Sequence, residues 1–185
     1  MRDLMTHGTP YPTPFDEQAR LEALASMSII NTPPEQALDV MVDFVAHLFN
    51  VPIALVSLVG RDKQVFKARV GLDVCETSRD VSFCTHAIVQ PNEVFVVPDA
   101  RKDPRFADNP LVTGAPYIRF YAGAPLIGFA RQPLGTLCII DRKPRAGLSD
   151  HEKLTLTKLA RMVILRMKSR EIIDAGRTRG SVAVG

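Results

Sequence analysis

The period of the apolar positions changes twice along the chain, and each change marks a new kind of element. From Asp16, the residues Leu21, Leu24, Ala25 and Ser28 fall on one helical stripe, which Asn31-Thr32-Pro33-Pro34 ends. A second helix is predicted with Thr32 as its N-cap and Pro33 and Glu35 in its first turn. Its apolar residues Leu38, Met41, Val42, Val45, Leu48 and Phe49 recur at i, i+3, i+4 and i+7, the strongest amphipathic signal in the sequence. After Asn50 the period drops to that of a strand. Pro52 to Val59 is apolar and β-branched, Gly60-Arg61-Asp62-Lys63 is a turn, and Gln64 to Val70 alternates, which predicts a β-hairpin. Further strands are predicted at Glu93 to Val97, Phe120 to Ile127 and Leu134 to Ile140, the last ending at Asp141.

Ser149 with Glu152 three residues on forms a capping box, and it opens a helix running from about Asp150 to Asp174. Leu156, Ala160, Val163 and Met167 make one stripe, while Leu154, Leu159, Met162 and Leu165 widen it beyond a single face. At about 1.5 Å per residue this helix is near 37 Å long, more than the sheet needs. One face is expected to pack on the sheet. Leu159, Met162, Val163 and Leu165 are the candidates for a homodimer and output surface.

Two long connections, 71–92 and 98–118, are rich in Asp, Asn, Pro, Arg and Gly, and loops of that length inside a small domain carry function. Prolines at 10, 12 and 14 make residues 1–15 a flexible arm, and the polar end predicts a disordered tail over 175–185. Residues 16–174 then form one domain. With 185 residues, 46% of them hydrophobic, the chain removes roughly 70% of its unfolded surface from water and needs neither metal nor disulfide to fold.

No apolar run approaches the roughly 20 residues of a membrane span, and the first residues lack the apolar core of a secretory signal. Three cysteines, Cys75, Cys84 and Cys138, are odd in number and unevenly spaced, which fits free thiols in a reducing compartment. A cytoplasmic protein without a membrane partner is expected. The net charge of +3 is concentrated at the end of the chain: residues 161–185 carry six Lys or Arg against Glu171 and Asp174. Those cations lack interleaved aromatics, so they read as a solvated helix end and not as a nucleic-acid surface.

Candidate chemistry gathers in the long connections. Cys84 and His86 stand two positions apart, too far for a nucleophile–base pair on a regular strand, and no second Cys/His pair completes a metal site. Asp99, Asp103 and Arg105 alternate charge through a turn-rich segment, readable as loop staples or as pocket wall. Arg119 and Tyr121 enter a strand that then passes the small residues Ala122, Gly123 and Ala124, leaving room above the sheet. Arg119 is either an anion handle there or the partner of an acid. No phosphate loop, nucleophile elbow, metalloprotease or kinase motif is present.

Taken in order, the segments Phe83-Cys84-Thr85-His86-Ala87-Ile88, Val97-Pro98-Asp99-Ala100, Asp103-Pro104-Arg105-Phe106, Arg119-Phe120-Tyr121-Ala122-Gly123-Ala124-Pro125-Leu126 and Gly135-Thr136-Leu137-Cys138 resemble the GAF domain. The likeness covers about Leu21 to Met167 and is greatest to the subgroup at the sensory end of bacterial histidine kinases and diguanylate cyclases. It implies an α/β (α+β) fold: a central antiparallel sheet of about six strands, N- and C-terminal helices on one face, and a loop-roofed pocket on the other.

What the resemblance implies about activity is a non-catalytic sensory module, one that binds a small molecule or a protein partner such as a signalling kinase or cyclase, as a dimer. Position by position, the implied pocket residues are Phe83, Cys84, His86, Asp99, Arg105, Phe106, Arg119, Tyr121 and Gly123, with no assigned cofactor. The chain lacks the Asn-Lys-Phe-Asp-type motif of cyclic-nucleotide-binding members. Bilin-binding members place their cysteine after the region matching Asp99 to Arg105. The enzymatic relatives, free methionine-(R)-sulfoxide reductases, have cysteines near Cys75 and Cys84, but their further pocket cysteine falls near Gly114, within Thr113-Gly114-Ala115-Pro116 here. A third reading is a pure dimerisation module whose pocket is filled by side chains.

Overall fold

A computed structural model describes residues 10–128 and 130–180, with side chains up to 169. Asp16 caps the first helix, α1 (Glu17–Ser26), its carboxylate accepting from the Ala19 N–H at 3.0 Å. The second helix, α2 (Gln36–Leu48), begins after Glu35 and not after Thr32. Thr32 is committed elsewhere: Lys67 Nζ donates to its carbonyl oxygen at 2.7 Å and to its Oγ1 at 2.9 Å, tying the α1–α2 connection to the sheet.

The predicted hairpin is β1 (Ile53–Val59) and β2 (Lys63–Val70). The connection that follows is not featureless. It contains a short edge strand, β3 (Glu76–Ser78), and a five-residue helix, α3 (Phe83–Ala87). Then come β4 (Phe95–Val97), a 3-10 turn at Ala100–Lys102, α4 (Pro110–Thr113), β5 (Phe120–Ile127), β6 (Pro133–Asp141) and α5 (Asp150–Gly180). The strands form one antiparallel sheet of order β3-β2-β1-β6-β5-β4, so the chain crosses from one side to the other between β3 and β4.

Every residue of β1 and of β6 is buried, because the sheet is covered on both faces. Alternation sorts the side chains into two cores. Ala54, Val56, Leu58, Ala122, Ala124, Leu137 and Ile139 face α1, α2 and α5. Ile53, Leu55, Val59, Tyr121, Cys138 and Ile140 face α3 and the long loops. Helices from both ends of the domain therefore share one face, as the sequence likeness implied.

The capping box of α5 is formed, with Glu152 N–H donating to Ser149 Oγ at 3.3 Å and Ser149 N–H to the Glu152 carboxylate at 2.7 Å. Two expectations for the ends change. The helix runs on to Gly180, so 175–180 are helical, while 181–185 lie outside the described residues. Of the predicted arm, residues 1–9 also lie outside them. Within 10–15, Tyr11 rests on the domain: its hydroxyl donates to the Arg61 carbonyl oxygen at 3.0 Å and its ring lies under the Arg79 guanidinium. On α5, Val163 is wholly buried in the sheet-facing core and Leu159 is half-buried, which leaves Met162 and Leu165 as the exposed pair of the four predicted surface residues. Among the described residues no helix is long and apolar enough to cross a membrane.

Candidate functional site

The face opposite the long helices is organised by a buried polar knot. Ser82 caps α3, its Oγ accepting from the Thr85 N–H at 3.1 Å. The same hydroxyl donates to Gln64 Oε1 at 2.7 Å, and Ser57 Oγ donates to that oxygen at 3.1 Å. Gln64 Nε2 in turn donates to Thr77 Oγ1 at 2.7 Å. One carboxamide thus joins β1, β2, β3 and the start of α3. Each hydrogen bond offsets part of the desolvation cost of burying these groups.

Held this way, α3 lays Cys84 over the β5–β6 pair. The Tyr121 hydroxyl donates to Cys84 Sγ at 3.4 Å and lies 3.4 Å from Thr136 Oγ1. Gly123 makes the arrangement sterically possible: a Cβ there would sit 2.3 Å from the Tyr121 hydroxyl. The room predicted above the small residues of β5 is therefore occupied in part by the strand's own tyrosine.

Burial pushes the Cys84 thiol up, but hydrogen bonding from Cys138, Thr136, Tyr121 and Ser57 pulls it down and prevails, to about 6. Cys138 is held well above its ordinary value by burial and by the neighbouring Cys84, so Cys84 is the thiol that ionises first. Burial and the two thiols likewise hold the Tyr121 hydroxyl protonated.

Beside this thiol lies a cavity of about 380 Å³. Its wall is mostly apolar, built from Leu55, Phe66, Leu72, Phe83, Leu111, Ile118, Tyr121 and Ile140. Gln64, Thr77 and Cys84 add polar groups, and Asp73 and Arg142 are the two charged residues on the lining. Size and lining are those of a small-molecule site.

Of the residues suggested by the sequence, Phe83, Cys84 and Tyr121 line this cavity. The others do not. Residues two apart on a helix point about 200° apart, so His86 turns away from Cys84. It enters a cluster with Phe95 and Phe106, edge-on to Phe106 at 4.7 Å, and the Arg105 guanidinium lies 4.8 Å over the Phe95 ring. Burial, and secondarily the Arg105 charge, lower the His86 pKa to about 4, so the ring is neutral. Arg105 is bound to Asp103 and Arg101 to Asp99, each pair locking its own turn. Arg119 Nη1 donates to the carbonyl oxygens of Val112 and Ile118 at 2.9 and 3.0 Å, closing the segment after α4.

Gln64, Phe66 and Arg142 also line the cavity, and no motif in the sequence marks them. Alternation placed Gln64 and Phe66 on one face of a strand, but nothing local told which face the cavity would take. Nor do Cys75 and Cys84, the two cysteines near the reductases' positions, share one site. Cys75 is exposed and opens onto a separate groove beside Thr32, Lys67 and Arg69, while Cys84 lines the cavity. Gly114, near which the reductases' further cysteine would fall, is the C-cap of α4.

Comparison with known proteins places these features. The GAF domain model matches residues 33–167. A cyclic di-GMP phosphodiesterase of Pseudomonas aeruginosa is 40% identical over 166 residues, which is 88% of this chain but 28% of that protein. Among solved structures, the GAF domain of an Acinetobacter phosphoenolpyruvate-protein phosphotransferase superposes with a TM-score of 0.59 at 20% identity, covering 85% of this chain and 98% of the other. A free methionine-R-sulfoxide reductase of Neisseria meningitidis, solved with its substrate, does so with a TM-score of 0.59 at 16% identity, covering 85% and 93%. At these identities the two structures establish the shared fold.

Proposed function

The chain belongs to the GAF domain family, and from that premise we propose that it is the sensory module of a cytoplasmic bacterial signalling system, binding a small molecule between α3 and the sheet. The observation that carries this reading is the cavity of about 380 Å³ with its mostly apolar wall. A module that only dimerised would have no use for that space. The two-sided sheet supports transmission. Tyr121 faces the cavity, and its neighbours Phe120 and Ala122 face the helical layer. A ligand that moves Tyr121 therefore acts on the strand against which α5 packs.

Output through α5 fits a homodimer whose partner helix covers Met162 and Leu165, both exposed. The cyclic di-GMP phosphodiesterase relative extends well beyond the matched region, so an output enzyme joined to the module or recruited by it is the partner we propose. Native mass spectrometry of the purified chain tests the proposal: a reproducible non-covalent adduct, lost when the cavity is narrowed by Leu111→Trp, is the expected result. A cavity that takes up no adduct from cell extract, with no chemical-shift change at Phe83 or Tyr121, counts against it.

One observation favours a second reading, a thiol enzyme: Cys84 is a cavity thiol that ionises near neutral pH. Reduction of free methionine-(R)-sulfoxide coupled to thioredoxin, abolished by Cys84→Ser, would establish it. Cys75 opens onto a different groove and therefore weakens this alternative.

A further inference from the structure

The charged and aromatic groups on the cavity wall narrow the chemistry of what it takes. We propose that the occupant is a planar aromatic molecule bearing a single carboxylate, its ring system against Phe66, Phe83 and Tyr121 and its carboxylate at Arg142. The inference rests on the reading of this cavity as a ligand site.

Three aromatic side chains line the cavity, and Phe83 and Tyr121 lie 5.3 Å apart, tilted by 32°. A flat ring meets such walls by offset stacking and edge contacts that an aliphatic chain does not make. Hydrogen-bonding capacity inside is largely spent. Gln64 Oε1 already accepts twice and the Tyr121 hydroxyl is turned to Cys84, so the interior offers little to a polyhydroxylated or nucleotide-like molecule.

Arg142 is the cation on the lining, and it is pre-positioned. Its Nε donates to the carbonyl oxygen of Pro116, itself a lining residue, at 3.1 Å. Neither Nη has a partner among the described residues, which leaves the end of the guanidinium as a two-pronged donor that matches the two oxygens of a carboxylate. Asp73 shares the lining and forms no ion pair among the described residues. One acid beside one base disfavours a dianion such as a phosphate monoester and admits a monoanion.

The test uses the full chain, with naphthalene-2-carboxylate and its neutral counterpart 2-naphthamide as probes, followed by calorimetry and by NMR shifts of Phe83 and Tyr121. The expected result is that the acid binds about tenfold more tightly than the amide, in keeping with one partly exposed charge-assisted contact. Arg142→Met should erase that preference, weakening the acid more than the amide, and Asp73→Asn should tighten the acid alone. Both substitutions are at exposed positions, so folding is preserved. Equal binding of acid and amide, or a preference that survives Arg142→Met, overturns the inference yet leaves the cavity a ligand site. If neither probe binds nor shifts the two aromatic residues, the inference fails, and the ligand reading on which it rests falls with it only where native mass spectrometry also finds no adduct from cell extract.

Discussion

Gln64 Oε1 lies 2.7 Å from Ser82 Oγ, and that single hydrogen bond joins strand β2 to the cap of the helix carrying Cys84. The position of the thiol over the cavity therefore depends on a side chain two elements away. Gln64→Leu keeps the volume and removes the acceptor shared by Ser82 and Ser57, leaving both hydroxyls buried without it. A loss of about 2 kcal/mol is expected, seen as a fall in Tm of about 4 to 8 °C. An unchanged melting curve would show that the knot contributes nothing net.

The lowered pKa of Cys84 has a kinetic consequence, because the thiolate is the nucleophile. In a Cys75→Ser background, alkylation by iodoacetamide should titrate with a midpoint near pH 6. Tyr121→Phe, which removes a donor to the sulfur, should move the midpoint up. Gly123→Ala should act in the same direction, since its new methyl group collides with the Tyr121 hydroxyl. A midpoint near that of an ordinary thiol in the unsubstituted chain would mean that burial outweighs the donors.

His86 makes stability depend on pH. Its folded pKa of about 4 lies below the ordinary 6.5, so between those values the unfolded chain binds the proton and the folded chain does not. Stability is complete above pH 6.5 and falls as the pH is lowered toward 4, by about 3 kcal/mol in total from this group. His86→Phe keeps an aromatic ring in the cluster and should flatten that part of the profile. The check is urea unfolding at pH 7.5 and 4.5 for both chains, and an identical pH dependence in the two would remove His86 as the cause.

The two faces of α5 predict opposite outcomes for charge. Glu at Met162 or Leu165 should convert a dimer to a folded monomer, read by light scattering, because both side chains are exposed. Glu at Val163 puts a charge into the sheet-facing core and should abolish folding. A Met162→Glu, Leu165→Glu chain that kept its dimeric mass would exclude this helix as the interface.

How the sequence relates to the site is clearest at Cys84 and His86. Both fall in one of the segments that identify the family, yet helical geometry sends one to the cavity and the other into an aromatic cluster with Phe95 and Phe106. Five residues are too short a run to show a 3.6-residue period, so α3 was not legible. The three-residue β3 escaped for the same reason. Thr32 looked like an N-cap by every local criterion and lost that role to Lys67, which approaches from 35 positions away.

By itself the sequence determined the elements whose information is local: the amphipathic stripe of α2, the hairpin of β1 and β2, the capping box of α5, and the ordered family segments that imply the sheet and its layers. Period and capping depend on neighbours within a few residues, and those are written in the chain. Only the tertiary structure decided what the cavity is made of. Gln64, Phe66, Phe83, Tyr121 and Arg142 come from separate elements and meet because β2, α3, β5 and the end of β6 converge on one face of the sheet. Their contacts are non-local, so no pattern along the chain encodes them.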